Sequence, residues 1–321
     1  MASPSSKLCS ADPSLHEETT TELAEPLISV VVPTRDRPQA LRRCMEALSA
    51  QTVFDRLEVV VVDDGSLAAD EVAAVVARHA RARLIRRSGA GPAAARNAGA
   101  RAAHGSFLCF TDDDCAPGAD WVERLVLALQ HGADAAAGTT TLTRTGALAE
   151  ASDLVLYAPA AVPPPDGSDF LFAASNNIAC TRTAFDSVPF DESYPNAAGE
   201  DREWCAQLTA MGFSLRSAPD ACVVHHHDLT LRSFLKQQVR YGRGAFRFRR
   251  GTVERRPLES PSFYTALLRQ AFAKGFGVGL LFCAAQAATA AGFADAWRTS
   301  RRESRSVKPA SSASTSRAGG R

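Results

Sequence analysis

Between residues 27 and 111 the chain alternates short apolar runs with stretches of helical periodicity, and this alternation limits the fold more than any other feature. Leu27-Ile28-Ser29-Val30-Val31-Val32 is a continuous apolar run stopped by Pro33, as expected of a strand buried on both faces. Residues 38–51 then place Leu41, Met45 and Leu48 on one helical face, with Arg42, Arg43 and Glu46 elsewhere. The pattern predicts strands at 57–62, 83–85 and 106–111 and helices at 68–80, 93–103 and 117–130. Strand–helix alternation of this length implies right-handed crossovers and a mainly parallel sheet flanked by helices.

In such sheets ligands sit outside the carboxyl ends of the strands. Pro33-Thr34-Arg35, Asp63-Asp64-Gly65 and Asp112-Asp113-Asp114 each follow a predicted strand directly and should line one crevice. Carboxylates packed as tightly as the last three repel one another, so a fold keeps them together when a cation neutralises them. Asp112 and Asp114 can both aim at one hard divalent ion, often one shared with phosphates. The plainer reading is an acidic helix start in solvent.

Beyond residue 135 the alternation breaks. Residues 158–167 are Pro-rich and read as a loop, and 175–180 resemble a strand. Residues 198–211 read as a helix ended by Gly212, 213–215 and 221–224 as strands, and 229–249 as a basic amphipathic helix.

The net charge of +1 supplies no field for nucleic acid. Eight cysteines are scattered singly with no Cys-x-x-Cys pair, which fits a reducing compartment and neither a disulfide framework nor a Cys-rich zinc site. Residues 1–25 are polar, lack the apolar core of a secretory signal, and read as a disordered leader. Residues 298–321, rich in Ser, Ala and Arg, read as a disordered basic tail. Residues 26–250 would then be the main folded domain, and 251–297 a helical extension. Residues 275–294 carry no charge and have basic neighbours, among them Arg269, Lys274, Arg298, Arg301 and Arg302. Peripheral association with an anionic membrane surface is the first reading, a true span the second, and a buried helix the plain one.

Four segments occur in order: Val30-Val31-Val32-Pro33-Thr34-Arg35-Asp36-Arg37, Val61-Val62-Asp63-Asp64-Gly65-Ser66, Gly91-Pro92-Ala93-Ala94-Ala95-Arg96-Asn97-Ala98-Gly99 and Phe110-Thr111-Asp112-Asp113-Asp114. They resemble the opening of a family 2 glycosyltransferase with the GT-A fold. The resemblance continues through Ser175-Asn176-Asn177, Phe190-Asp191-Glu192, Gly199-Glu200-Asp201 and His225, covering roughly residues 28–244. It implies an inverting transfer of a sugar from a nucleotide-diphosphate sugar to a hydroxyl acceptor (a glycan, lipid-linked or small molecule) in the cytoplasm or at the inner membrane face. One of Asp63 and Asp64 would hydrogen-bond the base or ribose, with Pro33, Thr34, Arg35, Arg96, Asn97 and Asp113 also on the donor side. Mg²⁺ or Mn²⁺ would sit on Asp112 and Asp114, joined by one histidine of 225–227, with His225 first in line. Asp201 would be the general base and Glu200 its orienting neighbour, a role compatible with acids favouring a helix N-terminus. Acceptor contacts would fall in 157–172, where no motif helps.

Two readings compete. Gly89-Ala90-Gly91-Pro92-Ala93-Ala94-Ala95 fits the GxGxxA form of a dinucleotide fingerprint, hence an FAD- or NAD-dependent oxidoreductase. That fingerprint belongs after a thoroughly apolar strand, and Arg83-Leu84-Ile85-Arg86-Arg87 is short and basic. The other is a non-catalytic sugar-nucleotide binding protein, against which the intact Asp112, Asp114 and Asp201 argue.

Overall fold

The structure is a computed structural model, and it describes residues 28–143, 146–156, 172–194, 198–226, 229–251 and 261–306. The leader at 1–25, the Pro-rich loop at 158–167, His227 and the end of the tail at 307–321 lie outside the described residues.

Strand β1 (Ile28–Thr34) leads to helix α1 (Pro38–Ser49), β2 (Leu57–Asp63), α2 (Ala69–Val76), β3 (Ala82–Arg86), α3 (Pro92–Ala102) and β4 (Phe107–Phe110). These four strands are parallel, in the order β3-β2-β1-β4. All seven residues of β1 and of β2 are buried, as the continuous apolar runs require. Their valines divide by parity. Val30, Val32, Val59 and Val61 enter one core with Leu41, Met45 and Leu48 of α1, while Val31, Val60 and Val62 enter the other with the alanines of α3. Each such burial stabilises by roughly 1.5–3 kcal/mol. On the second face α3 comes close enough that a Cβ at Gly99 would collide with Val31.

The second half follows with β5 (Cys115–Pro117), α4 (Trp121–Gln130), β6 (Ala135–Leu142), α5 (Ala147–Leu156), β7 (Ile178–Thr181), α6 (Arg182–Ser187), α7 (Glu200–Ala210) and β8 (Leu215–His225). The sheet extends as β4-β7-β6-β8-β5, with β7 antiparallel to β4 and β6, β5 antiparallel to β8, and β6 parallel to β8. The result is the expected α/β fold, a mostly parallel curled sheet flanked by helices.

Several local expectations are corrected. The helix predicted from 117 begins at Trp121, because residues 115–117 pair with β8. Residues 175–177 precede β7 as a turn in place of extending it. The two short strands at 213–215 and 221–224 are one strand, β8. It bulges around Pro219, which has no N–H for the ladder, so Ala137 faces Ser217 while Thr139 faces Cys222. Strand β6 gave no sequence signal, since in Ala-Ala-Ala-Gly-Thr-Thr-Thr-Leu the one large apolar residue is the last.

Three helices close the described chain: α8 (Leu231–Arg250), α9 (Pro261–Lys274) and α10 (Phe276–Ser306). They build a third core with α5, from Ala151, Leu154, Phe234, Leu267, Ala271, Val278, Phe282 and Ala285. The helical extension is therefore present, and α9 and α10 pack against α5 and α8. Residues 298–306, expected to be disordered, continue α10.

Candidate functional site

The three strand ends meet. Thr34 pairs with Asp63 in the β1–β2 register, and its hydroxyl donates to Asp113 Oδ2 at 2.7 Å. Asp113 is fully buried and also meets Arg37 at 2.9 Å. Burial raises its carboxyl to about 7, against the pull of Arg37 and Thr34 and with the help of Asp114 and Asp112. The loop carrying Arg37 is held by Asp36, whose φ of 56° is left-handed. Asp36 N–H donates to Ser66 Oγ at 2.8 Å and its carboxylate accepts from Leu67 N–H at 2.6 Å, so the β1 and β2 loops brace each other.

Asp112 and Asp114 look in different directions. Asp114 accepts from Arg37 Nη1 at 2.6 Å and lies 3.3 Å from His225 Nε2. Burial depresses the His225 imidazole, but its hydrogen bond to Asp114 and the charges of Asp114 and Asp112 prevail and raise it. The β5–β8 pairing sets Cys115 opposite His225, and one atom each of Asp114, Cys115 and His225 lie within 4.8 Å of one another. Burial, then the nearby acids, push the Cys115 thiol well above its usual range. Asp112 instead accepts from Arg96 Nη2 at 2.7 Å.

Arg96 is buried on α3, and its other amino group donates to Glu200 Oε1 at 3.1 Å. Glu200 opens α7 after the left-handed Gly199 (φ 96°) and also accepts from Ala198 N–H at 2.7 Å. Asp201 follows, partly exposed, its Oδ1 accepting from Arg202 N–H at 2.7 Å. Burial, then the adjacent Glu200, lift its carboxyl to about 7, where it can take up a proton near neutral pH.

Several other expected donor residues bond within the protein. Asp63 accepts from Ser66 N–H at 2.8 Å. Asp64 accepts from Ala90 N–H at 3.0 Å and Gly91 N–H at 2.8 Å. That second pair answers the dinucleotide reading: two loop amides that a pyrophosphate would need are already bonded to a carboxylate. Asn97, expected to face the donor, is bonded within the protein. Its amide exchanges two hydrogen bonds with the Phe190 backbone, at 2.8 and 3.0 Å, and meets Glu192 at 2.9 Å. Pro33 is buried in β1, and Arg35 is exposed beside Asp36 at 3.7 Å. Sequence reasoning assigned nothing to Arg37 or Cys115. Arg37 had a signal, since three adjacent carboxylates call for a cation and it closes the first motif. Cys115 had none, because its place beside His225 follows from a three-residue strand.

Residues 29–152 match the family model described as Glycosyl transferase family 2. Among curated proteins, the pre-mycofactocin glycosyltransferase of Mycobacterium tuberculosis is 31% identical over 229 residues, covering 68% of this chain and 46% of that protein. The glycosyltransferase AglE of Haloferax volcanii is 29% identical over 233 residues, covering 68% of this chain and 73% of that protein. The chain thus spans about half the length of the first of these relatives. Among solved structures, the mannosyltransferase PcManGT from Pyrobaculum calidifontis, in complex with GDP-Man and Mn²⁺, superposes with a TM-score of 0.55 at 20% identity. That match covers 89% of this chain and 82% of the other.

Proposed function

We propose that this chain, whose residues 29–152 form a glycosyl transferase family 2 domain on a GT-A fold, moves a sugar from a nucleotide-diphosphate donor to a hydroxyl acceptor with inversion. The observation that carries the reading is that Arg96 bonds both Asp112, two residues from the Asp114–His225 pair, and Glu200, the neighbour of Asp201. It joins a carboxylate-rich pocket suited to a phosphate-bound cation to a carboxylate with a proton affinity fit for a base.

In the proposed reaction Asp201 takes the acceptor hydroxyl proton as that oxygen bonds the anomeric carbon. The bond from the anomeric carbon to the diphosphate breaks on the opposite face. Glu200, fixed by Arg96 and the Ala198 amide, stands beside Asp201 and helps to raise its carboxyl. Thr34, Asp63 and Asp64 shape the wall where the nucleotide would lie. Mg²⁺ or Mn²⁺ fits the available donors: Asp114 and His225 are already together, and Asp112 would join by loosening its bond to Arg96. Such an ion supplies Lewis-acid stabilisation of the departing diphosphate. The free cysteines among the described residues are in keeping with a cytoplasmic setting.

A thermal-shift screen of nucleoside diphosphates and their sugars with Mn²⁺ tests the donor side, starting from GDP-mannose, the ligand of the structurally similar mannosyltransferase. Stabilisation by one nucleotide class together with the metal is expected. No response to any nucleotide would sink the reading. Stabilisation with no sugar transfer to any acceptor would favour a binding protein.

A further inference from the structure

The outward face of the C-terminal helices is apolar along most of its length and ends in cations. On α9, Tyr264, Leu268 and Phe272 stand four residues apart, and all three are exposed. The stripe crosses the junction at Gly275, where the Phe272 and Phe276 rings lie 6.0 Å apart and Phe276 is 73% exposed. It continues on α10 through the exposed Leu280, Cys283 and Ala287. Trp297 is exposed further on, with the Arg301 guanidinium 4.4 Å over its ring. Residues 261–302 contain five bases, Arg269, Lys274, Arg298, Arg301 and Arg302, and a single acid, Asp295. That acid is already engaged by Arg243 at 2.8 Å.

We propose that this face docks on an anionic lipid bilayer, with the stripe from Tyr264 to Ala287 entering the boundary between headgroups and acyl chains. Arg298, Arg301 and Arg302 would lie among the phosphates, and Trp297 at the headgroup level that suits its amphipathic ring. The charge pattern selects this occupant. A second copy would bring the same five bases across the interface and repel itself, whereas an anionic headgroup layer complements them while its acyl chains receive the apolar stripe.

The inner face of α10 decides between lying on a membrane and crossing one, although Phe276–Arg302 is long and apolar enough to cross. Val278, Phe282 and Ala285 are committed to the third core. Gly292 lies against the Val239 backbone and Gly242 against that of Thr289, so close that a Cβ at either glycine would collide. A spanning α10 would have to give up that core, the glycine crossing and the Asp295–Arg243 pair together. This docking does not depend on the glycosyl transfer reading.

Co-sedimentation of the full chain with phosphatidylcholine vesicles, with and without phosphatidylglycerol, tests the proposal. The chain should pellet with the anionic vesicles, release in high salt, and wash off in alkaline carbonate. Each arginine lost should weaken binding about fivefold, so Arg298→Gln/Arg301→Gln/Arg302→Gln should lose on the order of a hundredfold. Phe276→Ser/Leu280→Ser should also release the chain, with its circular dichroism and melting unchanged because both side chains are exposed. Failure to pellet, or equal binding by both variants, would overturn the proposal. Resistance to carbonate would mean a span instead. A dimer that the Phe276→Ser/Leu280→Ser variant splits, with no vesicle binding, would give the face to a second copy.

Discussion

Arg96 donates to Glu200 across 3.1 Å although the two are 104 residues apart in sequence. The bond is made by the second-half helix α7 reaching back to α3, and Arg96 holds Asp112 with its other amino group. One buried cation therefore serves both sides of the crevice.

Replacing Arg96 with Met should leave Glu200 and Asp112 facing each other without their shared cation. Breaking a buried pair in this way costs about 3–5 kcal/mol. Urea melts should show that loss, and Arg96→Lys should recover only part of it, since an ammonium cannot fork between two carboxylates.

Asp201→Asn should keep the fold and nucleotide affinity while turnover falls by roughly 10²–10⁴-fold. In the parent enzyme kcat should rise with pH through about 7 as Asp201 loses its proton. If the variant turns over near the parent rate, the base is another group, with Glu200 next.

Asp114→Asn, or EDTA, should weaken nucleotide binding in calorimetry, because diphosphate charge would then meet the acids with less cation to screen it. Undiminished affinity in EDTA would refute metal-dependent donor binding.

Asp113 should cost the free protein stability at alkaline pH. Its folded carboxyl titrates at about 7 against an ordinary 3.8, so the folded state holds the extra proton between those values. Its contribution is complete below about 4 and fades as pH rises through 7. Asp113→Asn should accordingly melt above the parent at pH 8 and close to it near pH 4, with no metal added.

Gly292→Ala should destabilise by about 1–3 kcal/mol, since the new methyl has no room against the Val239 backbone. Calorimetric melting of the pair checks it.

The first half of the fold was legible because β1 and β2 are buried on both faces and announce themselves as unbroken apolar runs, with the polar strand ends following directly. In the second half the helices α7 and α8 were legible from their periodicity, but the strands β6 and β8 were not read as they lie. Strand β6 is built of Ala, Gly and Thr up to its last residue, and β8 runs through a proline by bulging. In the site, the acids could be read but their partners could not. That Asp64 would spend itself on the Ala90 and Gly91 amides, or Asn97 on Phe190, depends on where two distant loops come to rest.

Asn177 joins what the sequence presents as two halves. Its amide oxygen accepts from the Trp121 indole at 2.7 Å, and its nitrogen donates to Thr139 O at 2.9 Å and Ala221 O at 3.0 Å. A chain cut at residue 152, where the family match stops, would strand the Trp121 N–H in the core and strip β4 of its neighbour β7. The matched segment thus leans on the second half for a core hydrogen bond and a strand neighbour. Swapping it between relatives would demand that the seam around Asn177 travel with it.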